Sequence, residues 1–426
     1  MHKQKLNEVL GNIPLSYKSS ANRLDVEITG IQYDSRLVEP GHIFVALVGG
    51  NVDGHSYIEL AAEKGAVAVI GSQSVELWNH INIPYFQFEN TRVALAYLSA
   101  SFYGFPPRSM VLIGVTGTDG KTTTSNMIYQ ILKTAGFKAG MISTVNAQIG
   151  DEILDTGFHV TTPEAPAVQY YLWRMKEAGL THVVLETTSH GLAQDRVTGC
   201  DFDIAVVTNI THEHLDYHGS YQAYLQAKGR LFEYLNQTVV KPFYPEHLAV
   251  INQDDLSRDY LEKIVNVPQI RYSIREKSDI WAEEIQPGRD GITFKASSND
   301  FSITVNCHLP GNYNVSNALA ALSVGIFGLK INPSLAAQGI EQMQAVPGRM
   351  EQIRMGQSFQ AIVDFAHTPN ALENAIKTVR NLTTGRVIAI FGSAGLRDRE
   401  KRKMMAETSA QLADITIITA EDPRTE

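Results

Sequence analysis

The chain has 426 residues, of which 44% are hydrophobic and 19% are charged, and its formal net charge is −9. These values are typical of a folded protein of about three domains, and an acidic balance without a basic run argues against nucleic acid as a partner. The N-terminus lacks an apolar segment of signal-peptide length, and no stretch approaches the roughly 20 apolar residues of a membrane span. Cys200 and Cys307 form neither a disulfide framework nor a zinc motif, so we expect a cytoplasmic protein without a membrane partner.

The pattern of predicted strands, helices and turns along the chain indicates three α/β domains. Residues 1–107 contain short alternating strands and end at the turn 105–107, where two prolines stop helices and inner strands. Residues 108–338 alternate strands and helices, which predicts a central, mostly parallel sheet covered by helices. A small antiparallel addition is expected at 279–308, and residues 339–426 begin a third, Rossmann-like unit. The predicted strands are 110–115, 181–186, 204–208, 248–252, 386–391 and 414–419, and the predicted helices of the central domain are 121–135, 163–178 and 221–235.

The most informative segment is 111–124, an apolar run followed by glycines, a lysine and three threonines. This pattern predicts a strand, a phosphate loop and a helix start, whose backbone N–H groups attract a triphosphate. Lys121 can neutralise terminal phosphate charge, and the Thr122 hydroxyl can ligate Mg²⁺. The first glycine of the usual Walker pattern would fall at Val115, so the match is to a shortened form. A strand-to-helix turn without nucleotide is the alternative.

Polar residues follow two further predicted strands. Glu186 ends the strand 181–186, and a histidine-rich run at 212–218 follows the strand 204–208. Ligands of open α/β sheets gather at the carboxyl ends of strands, so Glu186 is predicted to hold Mg²⁺ beside the phosphate loop. The alternative for Glu186 is a carboxylate that stabilises a helix N-terminus. The histidine-rich run lacks zincin spacing, which favours one histidine on Mg²⁺ or beside the nucleotide over a zinc site or a solvated loop.

Further motifs accompany these along the chain. In order, the set is Asp34-Ser35-Arg36 and the segments 117–122, 186–190, 208–214, 309–317, 346–351, 363–369 and 422–424. Together, these motifs resemble the Mur ligase family, and most closely its UDP-N-acetylmuramoyl-tripeptide synthetases. The resemblance covers the whole chain, and the order of the motifs makes it specific.

The resemblance implies an ATP-dependent amide ligase that phosphorylates a carboxylate and lets an amino acid attack the acyl phosphate. It implies addition of a dibasic amino acid, meso-diaminopimelate or lysine/ornithine, to UDP-N-acetylmuramoyl-L-alanyl-D-glutamate in peptidoglycan synthesis, by a monomer. Such chemistry brings two anions together, so lysine, magnesium and backbone donors must meet in one place. The alternatives are a folylpolyglutamate synthetase, against which the motif at 34–36 speaks, and a nucleotide-binding module without turnover.

The resemblance also implies the site residues. Lys121, Lys228 and His214 are the catalytic ones, and Lys228 would be carbamylated to N6-carboxylysine, since a buried amine with a lowered pKa can add CO₂. An ordinary surface lysine is the alternative for Lys228. The ATP-binding residues are Gly117, Thr118, Asp119, Gly120, Lys121, Thr122, Thr123, Asn317, Arg349 and Asp364. The metal ligands are Thr122, Glu186, His214 and Lys228 as its carbamate. The substrate-binding residues are Ser35, Thr161, Thr162, Ser189, Arg196, Asp422 and Arg424.

Two departures from the family pattern matter. Asp119 replaces the family's asparagine, and an acid near phosphates is unhelpful unless it faces Mg²⁺ or solvent. Arg424 suits the distal carboxylate of diaminopimelate, whereas Asp422 replaces an amide and attracts an ammonium group, so both substrate types stay open.

Arg349 and Asp364 come from the third domain, so domain closure is needed to complete the ATP site. The family's third domain continues past residue 424, so we expect the domain at 339–426 to be incomplete.

Overall fold

The computed structural model describes the chain except for a few short segments. Those segments are residues 1, 21–24, 50–51, 145, 151, 155–160, 212, 214, 245, 289–290, 344, 396–398 and 422–426, together with the side chains of residues 215 and 216. Among the helices within the described ranges, none combines the length and the apolarity needed to cross a bilayer.

The first part of the chain folds around a five-stranded sheet. Its elements are β1 (Gln4–Lys5), α1 (Leu6–Gly11), β2 (Lys18–Ser19), β3 (Glu27–Ile28), β4 (Gly30–Gln32), β5 (His42–Val45), α2 (Ile58–Glu63), β6 (Ala68–Gly71), β7 (Tyr85–Gln87) and α3 (Thr91–Phe102). The strand order is β2-β7-β6-β5-β4, parallel except for β2. Ile43 and Val45 pack on the core that includes α1 and α3, whereas Phe44 packs on the α2 side. This alternation explains why β5 is apolar on both faces.

The central part contains an eleven-stranded sheet within the described residues. Its strands are β8 (Val111–Thr116), β9 (Ala139–Ile142), β10 (Ala147–Ile149), β11 (Glu152–Leu154), β12 (His182–Glu186), β13 (Ile204–Val207), β14 (Leu248–Asn252), β15 (Gln269–Ser273), β16 (Ile280–Gly288), β17 (Gly291–Ser297) and β18 (Ser302–Cys307). Its helices are α4 (Lys121–Thr134), α5 (Ala165–Glu177), α6 (Ser189–Ala193), α7 (Leu215–His218), α8 (Tyr221–Leu235), α9 (Arg258–Ile264), α10 (Asn312–Ser323) and α11 (Pro333–Gln342). The order is β11-β10-β9-β12-β8-β13-β14-β15-β16-β17-β18, and β9 to β16 are parallel neighbours.

Helices cover both faces of this central sheet. Ile113 and Val115 of β8 join the core formed with α4, α10 and α11. Leu112, which directly precedes Ile113, joins the opposite core formed with α5, α6, α8 and α9. Because successive strand residues point to opposite faces, a strand that is buried on both sides must be apolar throughout, as β8 is.

The last part of the chain is a smaller α/β unit. Its elements are β19 (Glu351–Ile353), β20 (Ala361–Val363), α12 (Pro369–Leu382), β21 (Ile388–Phe391), α13 (Arg399–Leu412) and β22 (Ile415–Ile418). β21 and β22 pair in parallel, and Leu372, Ile376 and Met405 form its core with residues of β21. The Thr368 hydroxyl accepts from the Ala371 N–H and caps α12.

The predicted α/β fold class is confirmed. The helix 221–235 and the strand 248–252 are predicted to the residue, and the other predicted central elements agree within two residues. The antiparallel addition at 279–308 is also confirmed, but β16 to β18 extend the central sheet itself. This addition was predicted from a turn at Asp290-Gly291, and Asp290 lies outside the described residues.

Candidate active site

The sheet order brings three polar loops to one edge. β12, β8 and β13 are adjacent and parallel, so their carboxyl ends lie side by side. The loop 117–120 follows β8, Glu186 is the last residue of β12, and the segment 208–211 follows β13. The structure therefore brings the predicted phosphate loop and Glu186 together, as the parallel-sheet argument expects.

Two glycines make the loop after β8 sterically possible. Gly117 has φ +150°, and a Cβ built there would lie 1.9 Å from the Thr208 hydroxyl. Gly120 has φ +83°, and a Cβ there would lie 2.3 Å from Oδ1 of Asn317. Any side chain at either position would collide with a neighbouring loop or helix, so the close approach of these segments requires glycine.

Hydrogen bonds from the segment after β13 hold the loop in shape. The Thr118 N–H donates to the Asn209 carbonyl over 2.7 Å, and the Asp119 N–H donates to Asn209 Oδ1 over 3.0 Å. The Thr208 hydroxyl donates to the Asp119 carbonyl over 2.6 Å, and the Thr211 N–H donates to the Thr118 hydroxyl over 3.0 Å. These contacts preorganise the loop, which leads directly into the N-terminus of α4.

Lys121 begins α4 and reaches back over the loop. Its Nζ donates to the Thr118 carbonyl over 2.8 Å. A lysine cation, a glycine-containing turn and a helix N-terminus at one place form an anion site suited to phosphate groups.

Thr122 and Glu186 form a buried oxygen pair beside this loop. The Thr122 hydroxyl lies 3.1 and 3.2 Å from the two oxygens of Glu186, which is 1% exposed. Thr144, in the loop after β9, donates its N–H and its hydroxyl to the same carboxylate, each over 3.0 Å. A hydroxyl and a carboxylate are hard oxygen donors, the type that Mg²⁺ prefers, so these residues fit that ion. Thr144 would orient the carboxylate from behind.

Lys228 lies beneath the phosphate loop. It projects from α8, is 2% exposed, and donates from Nζ to the Gly117 carbonyl over 2.5 Å. Its Nζ also lies 4.7 Å from the ring centroid of Tyr224, whose hydroxyl is 3.0 Å from the Thr118 hydroxyl. Burial, followed by the charge of Lys121, holds the pKa of Lys228 well below its usual range. A surface lysine, the alternative weighed from the sequence, is wrong for this residue.

Residues from the last part of the chain close the cleft. The Arg349 guanidinium donates to the Thr122 hydroxyl over 3.1 Å and lies 5.0 Å from the ring centroid of Phe365. Asp364 Oδ2 accepts from the Met350 N–H over 2.7 Å, and burial raises the pKa of this carboxyl. One cleft between the central and last parts of the chain is lined by six of the predicted ATP-binding residues, which are Asp119, Gly120, Thr123, Asn317, Arg349 and Asp364.

The predicted substrate residues of the central part form a neighbouring cluster. The Thr162 hydroxyl donates to the Glu186 carbonyl over 3.2 Å and accepts from the Thr188 N–H over 2.9 Å. Arg196 donates to the Thr162 carbonyl over 2.7 Å and pairs with Glu164 over 2.7 Å. Thr161 directly precedes this cluster, and the buried Ser189 begins α6 beside it. Arg196 is therefore connected through Thr162 to Glu186, the predicted metal ligand.

Other predicted residues lie elsewhere. Ser35 is buried and begins the single 3₁₀ turn Ser35–Leu37, which follows β4 in the first part of the chain. His214, Asp422 and Arg424 lie outside the described residues, as does His212 of the histidine-rich run.

Comparison with known proteins agrees with this geometry. The chain matches the "Mur ligase family, catalytic domain" over residues 27–103, the "Mur ligase middle domain" over 115–325 and the "Mur ligase, glutamate ligase domain" over 348–426. It is 44% identical over 408 residues to a UDP-N-acetylmuramyl-tripeptide synthetase of Roseiflexus sp. (strain RS-1), covering 94% of this chain and 79% of that protein. The chain belongs to the Mur ligase family. Members of this family are ATP-dependent ligases that use Mg²⁺.

Two further comparisons support that assignment. The chain is 39% identical over 425 residues to a UDP-N-acetylmuramoyl-L-alanyl-D-glutamate–2,6-diaminopimelate ligase of Geobacillus thermodenitrificans (strain NG80-2), covering 99% of this chain and 84% of that protein. A solved structure with the same enzyme name aligns with a TM-score of 0.75 at 29% identity, covering 100% of this chain and 84% of that one.

Within the Mur ligase fold, Asp119 does not point only to solvent. Its Oδ2 accepts from Nδ2 of Asn370, in the first turn of α12, over 3.2 Å. A helix N-terminus and an amide donor suit a carboxylate, which gives the acid at this position a physical reason.

Sequence reasoning missed three residues of this site. Thr144, Tyr224 and Asn370 touch Glu186, Thr118 and Asp119, respectively. Thr144 follows β9, and its role depends on β9 pairing with β12, which no local pattern reveals. The strand β9 itself was not predicted from the sequence, so a search for polar residues after the predicted strand ends would also have missed Thr144.

Proposed function

We propose that this chain is an ATP-dependent ligase that adds diaminopimelate to UDP-N-acetylmuramoyl-L-alanyl-D-glutamate. The observation that carries this proposal is the convergence of two groups on the hydroxyl oxygen of Thr122, directly after the phosphate loop. This oxygen contacts Glu186, at the end of β12 in the central sheet, and Arg349, from the last part of the chain. Such a site can hold a nucleotide phosphate between two parts of the chain, which supports ligation driven by ATP.

The chemistry explains why these residues are needed. A free carboxylate is a poor electrophile, so the acceptor carboxylate must first take the γ-phosphoryl group of ATP. An amino group then attacks the acyl phosphate, the C–O bond to phosphate breaks, and inorganic phosphate leaves. Bringing the carboxylate to the phosphate opposes two like charges, which Lys121, Arg349 and the loop N–H groups would offset.

The contact between the Thr122 hydroxyl and the Glu186 carboxylate supports these two residues as Mg²⁺ ligands. Thr122 and Glu186 would hold Mg²⁺, with His214 and the modified Lys228 holding a second ion. Bound there, Mg²⁺ supplies positive charge to the phosphate oxygens. Thr144 keeps the Glu186 carboxylate aimed at the loop through two hydrogen bonds of 3.0 Å.

Lys228 is the residue we assign to the carbamate. Its buried amine has a lowered pKa, and a neutral amine is the form that adds CO₂. The N–C bond forms as the amine loses a proton, and the product is a carboxylate on a long side chain. That carboxylate would suit a metal ion beside the 117–120 loop better than the ammonium form does.

The remaining predicted residues divide between two substrates. Ser35 would meet the uridine nucleotide in a first domain of residues 1–107. Thr161, Thr162, Ser189 and Arg196 would hold the peptide end of the acceptor within the domain 108–338. Asp422 and Arg424 would contact the amino acid in the domain 339–426, and the diaminopimelate ligases among the relatives favour that amino acid.

Phosphate release tests the proposed function. The wild-type protein is assayed with ATP, the acceptor and each of diaminopimelate, lysine and ornithine. We expect release only when both acceptor and amino acid are present, and fastest with diaminopimelate. Lys121→Ala should lower turnover at least about 10²-fold through loss of a phosphate-stabilising charge. Lys133→Ala, an exposed change in the last turn of the same helix, is the matched control. Release without acceptor, or an unaffected Lys121→Ala protein, would overturn the proposal.

A further inference from the structure

Asp119 and Asn370 connect the phosphate loop to α12. The Asn370 amide donates to the Asp119 carboxylate over 3.2 Å, across 251 residues of sequence. Asn370 is the second residue of α12, a 14-residue helix, so the carboxylate also faces the positive end of a helix dipole. Both contributions favour a negative charge on the loop side of this contact and a donor on the helix side.

We propose that Asn370 is a positioning residue, which holds α12 against Asp119 and so keeps the last part of the chain closed over the nucleotide cleft. This inference rests on the proposed function, because it assigns the cleft to ATP. Asn370 itself acts through Asp119 and through the placement of α12, and the proposal gives it no chemical step.

The backbone of Asp119 is already engaged within the central part. Its N–H donates to Asn209, and its carbonyl accepts from Thr208 and from the Asn209 amide. The main chain is therefore fixed, and the side chain is the part of Asp119 that extends to α12. A carboxylate on a fixed backbone gives α12 one defined place to dock.

Two other contacts cross the same junction. Arg349 donates to Thr122 over 3.1 Å, and the His367 imidazole lies 3.1 Å from the Glu213 carboxylate. Asn370 lies three residues beyond His367, so α12 begins within this group of contacts. Asn370 is exposed and packs in no core cluster, so changing it should alter closure rather than the fold of either part.

The contact between Asp119 and Asn370 can be tested by exchanging the two residue types. It requires an acceptor on one side and a donor on the other, and an acid and an amide satisfy this in either order. Asn370→Asp alone sets two carboxylates against each other, whereas Asp119→Asn with Asn370→Asp restores one acid and one amide. In the exchanged order the acid sits in the first turn of α12, where the helix dipole also favours it.

ADP–Mg²⁺ binding by calorimetry and the interdomain distance are the two readouts. We expect Asn370→Asp to weaken ADP binding about tenfold, the loss of one hydrogen bond to a charged group. The exchanged double variant should recover to within about twofold of wild type. The matched control is Asn370→Asp with Glu373→Gln, which has the same net charge but leaves Asp119 facing a second carboxylate. This control should not recover, since Asp119 is unchanged.

The distance is measured without nucleotide by spin labels on Asn299→Cys and Gln411→Cys, both exposed positions. The native Cys200 and Cys307 are buried and should stay unlabelled. Asn370→Asp should broaden the distance distribution, and the double exchange should narrow it again. Equal recovery in the Glu373→Gln control, or ADP binding and a distance distribution unchanged in Asn370→Asp, would overturn the positioning role of Asn370. A third outcome separates the two proposals. If wild-type protein binds no ADP, but the distance distribution still broadens in Asn370→Asp and narrows in the double exchange, the proposed function is overturned and the positioning role of Asn370 stands.

Discussion

The Arg349 guanidinium donates to the Thr122 hydroxyl over 3.1 Å, so two separate parts of the chain share one oxygen at the candidate metal site. Thr122 is buried at the start of α4, whereas Arg349 comes from the turn before β19. In the proposed reaction this arrangement makes phosphate binding and domain closure a single event. It also makes Arg349 the clearest place to test that dependence.

Arg349→Ala should lower kcat/KM for ATP about 10²-fold, because it removes a charge directed at the phosphate site. Arg349→Lys should recover little, since an ammonium group lacks the planar pair of donors. Steady-state phosphate release with varied ATP measures both effects. Arg354→Ala, an exposed arginine that contacts Gln352, is the control and should behave as wild type. An Arg349→Ala protein with wild-type kcat/KM would show that the Thr122 contact is only structural.

Lys228 should carry a carbamate in the active protein. Activity in CO₂-depleted buffer should fall several-fold and return when bicarbonate is added, because the neutral amine and its carbamate are in equilibrium. Carbon-13 NMR with labelled bicarbonate should give a carbamate resonance in wild type and in the exposed control Lys138→Met, but not in Lys228→Met. A resonance that persists in Lys228→Met would assign the modification to another residue. Activity indifferent to CO₂ would argue against the carbamate.

His182 should make the protein sensitive to mild acid. Its ring packs 4.3 Å from that of Phe137, and burial lowers its pKa from 6.5 to about 4. The unfolded state therefore takes up a proton below pH 6.5 while the folded state resists until about pH 4, so stability falls as the pH drops through this window. The loss should reach about 2 kcal/mol near pH 4.5.

Thermal unfolding between pH 7.5 and 4.5 measures this sensitivity. His182→Phe should keep its packing and lose most of the extra destabilisation in acid. His80→Phe, at an exposed histidine, should keep the wild-type profile. Identical pH profiles for His182→Phe and wild type would exclude His182 as the cause.

The phosphate loop and Glu186 could be predicted because they depend on residues that are close together in the sequence or at the end of one strand. The strand, loop and helix of residues 111–124 follow one another along the chain, so spacing alone predicts them, and Glu186 follows from the rule for parallel strand ends. Lys228 could be chosen only by resemblance, because one lysine on an amphipathic helix looks like any other until the helix is packed. The burial of Lys228 beneath Gly117 depends on tertiary packing and so could come only from the structure.

Contacts between distant segments were beyond sequence reasoning. Thr144 reaches Glu186 because β9 lies beside β12, and Asn370 reaches Asp119 because α12 docks on the central part. Neither depends on a periodicity or a turn signal. The unusual acid at Asp119 was noticed from the sequence, but its partner could come only from the structure.

An oxygen-18 transfer experiment tests the central claim most directly. The acceptor UDP-N-acetylmuramoyl-L-alanyl-D-glutamate is labelled in the carboxylate that becomes the amide, and phosphate released with ATP and diaminopimelate is analysed by mass spectrometry. If the carboxylate is phosphorylated first, one labelled oxygen leaves with each phosphate, and we predict that result. Unlabelled phosphate formed alongside the amide product, or phosphate formed equally well without acceptor, would contradict the acyl-phosphate ligase.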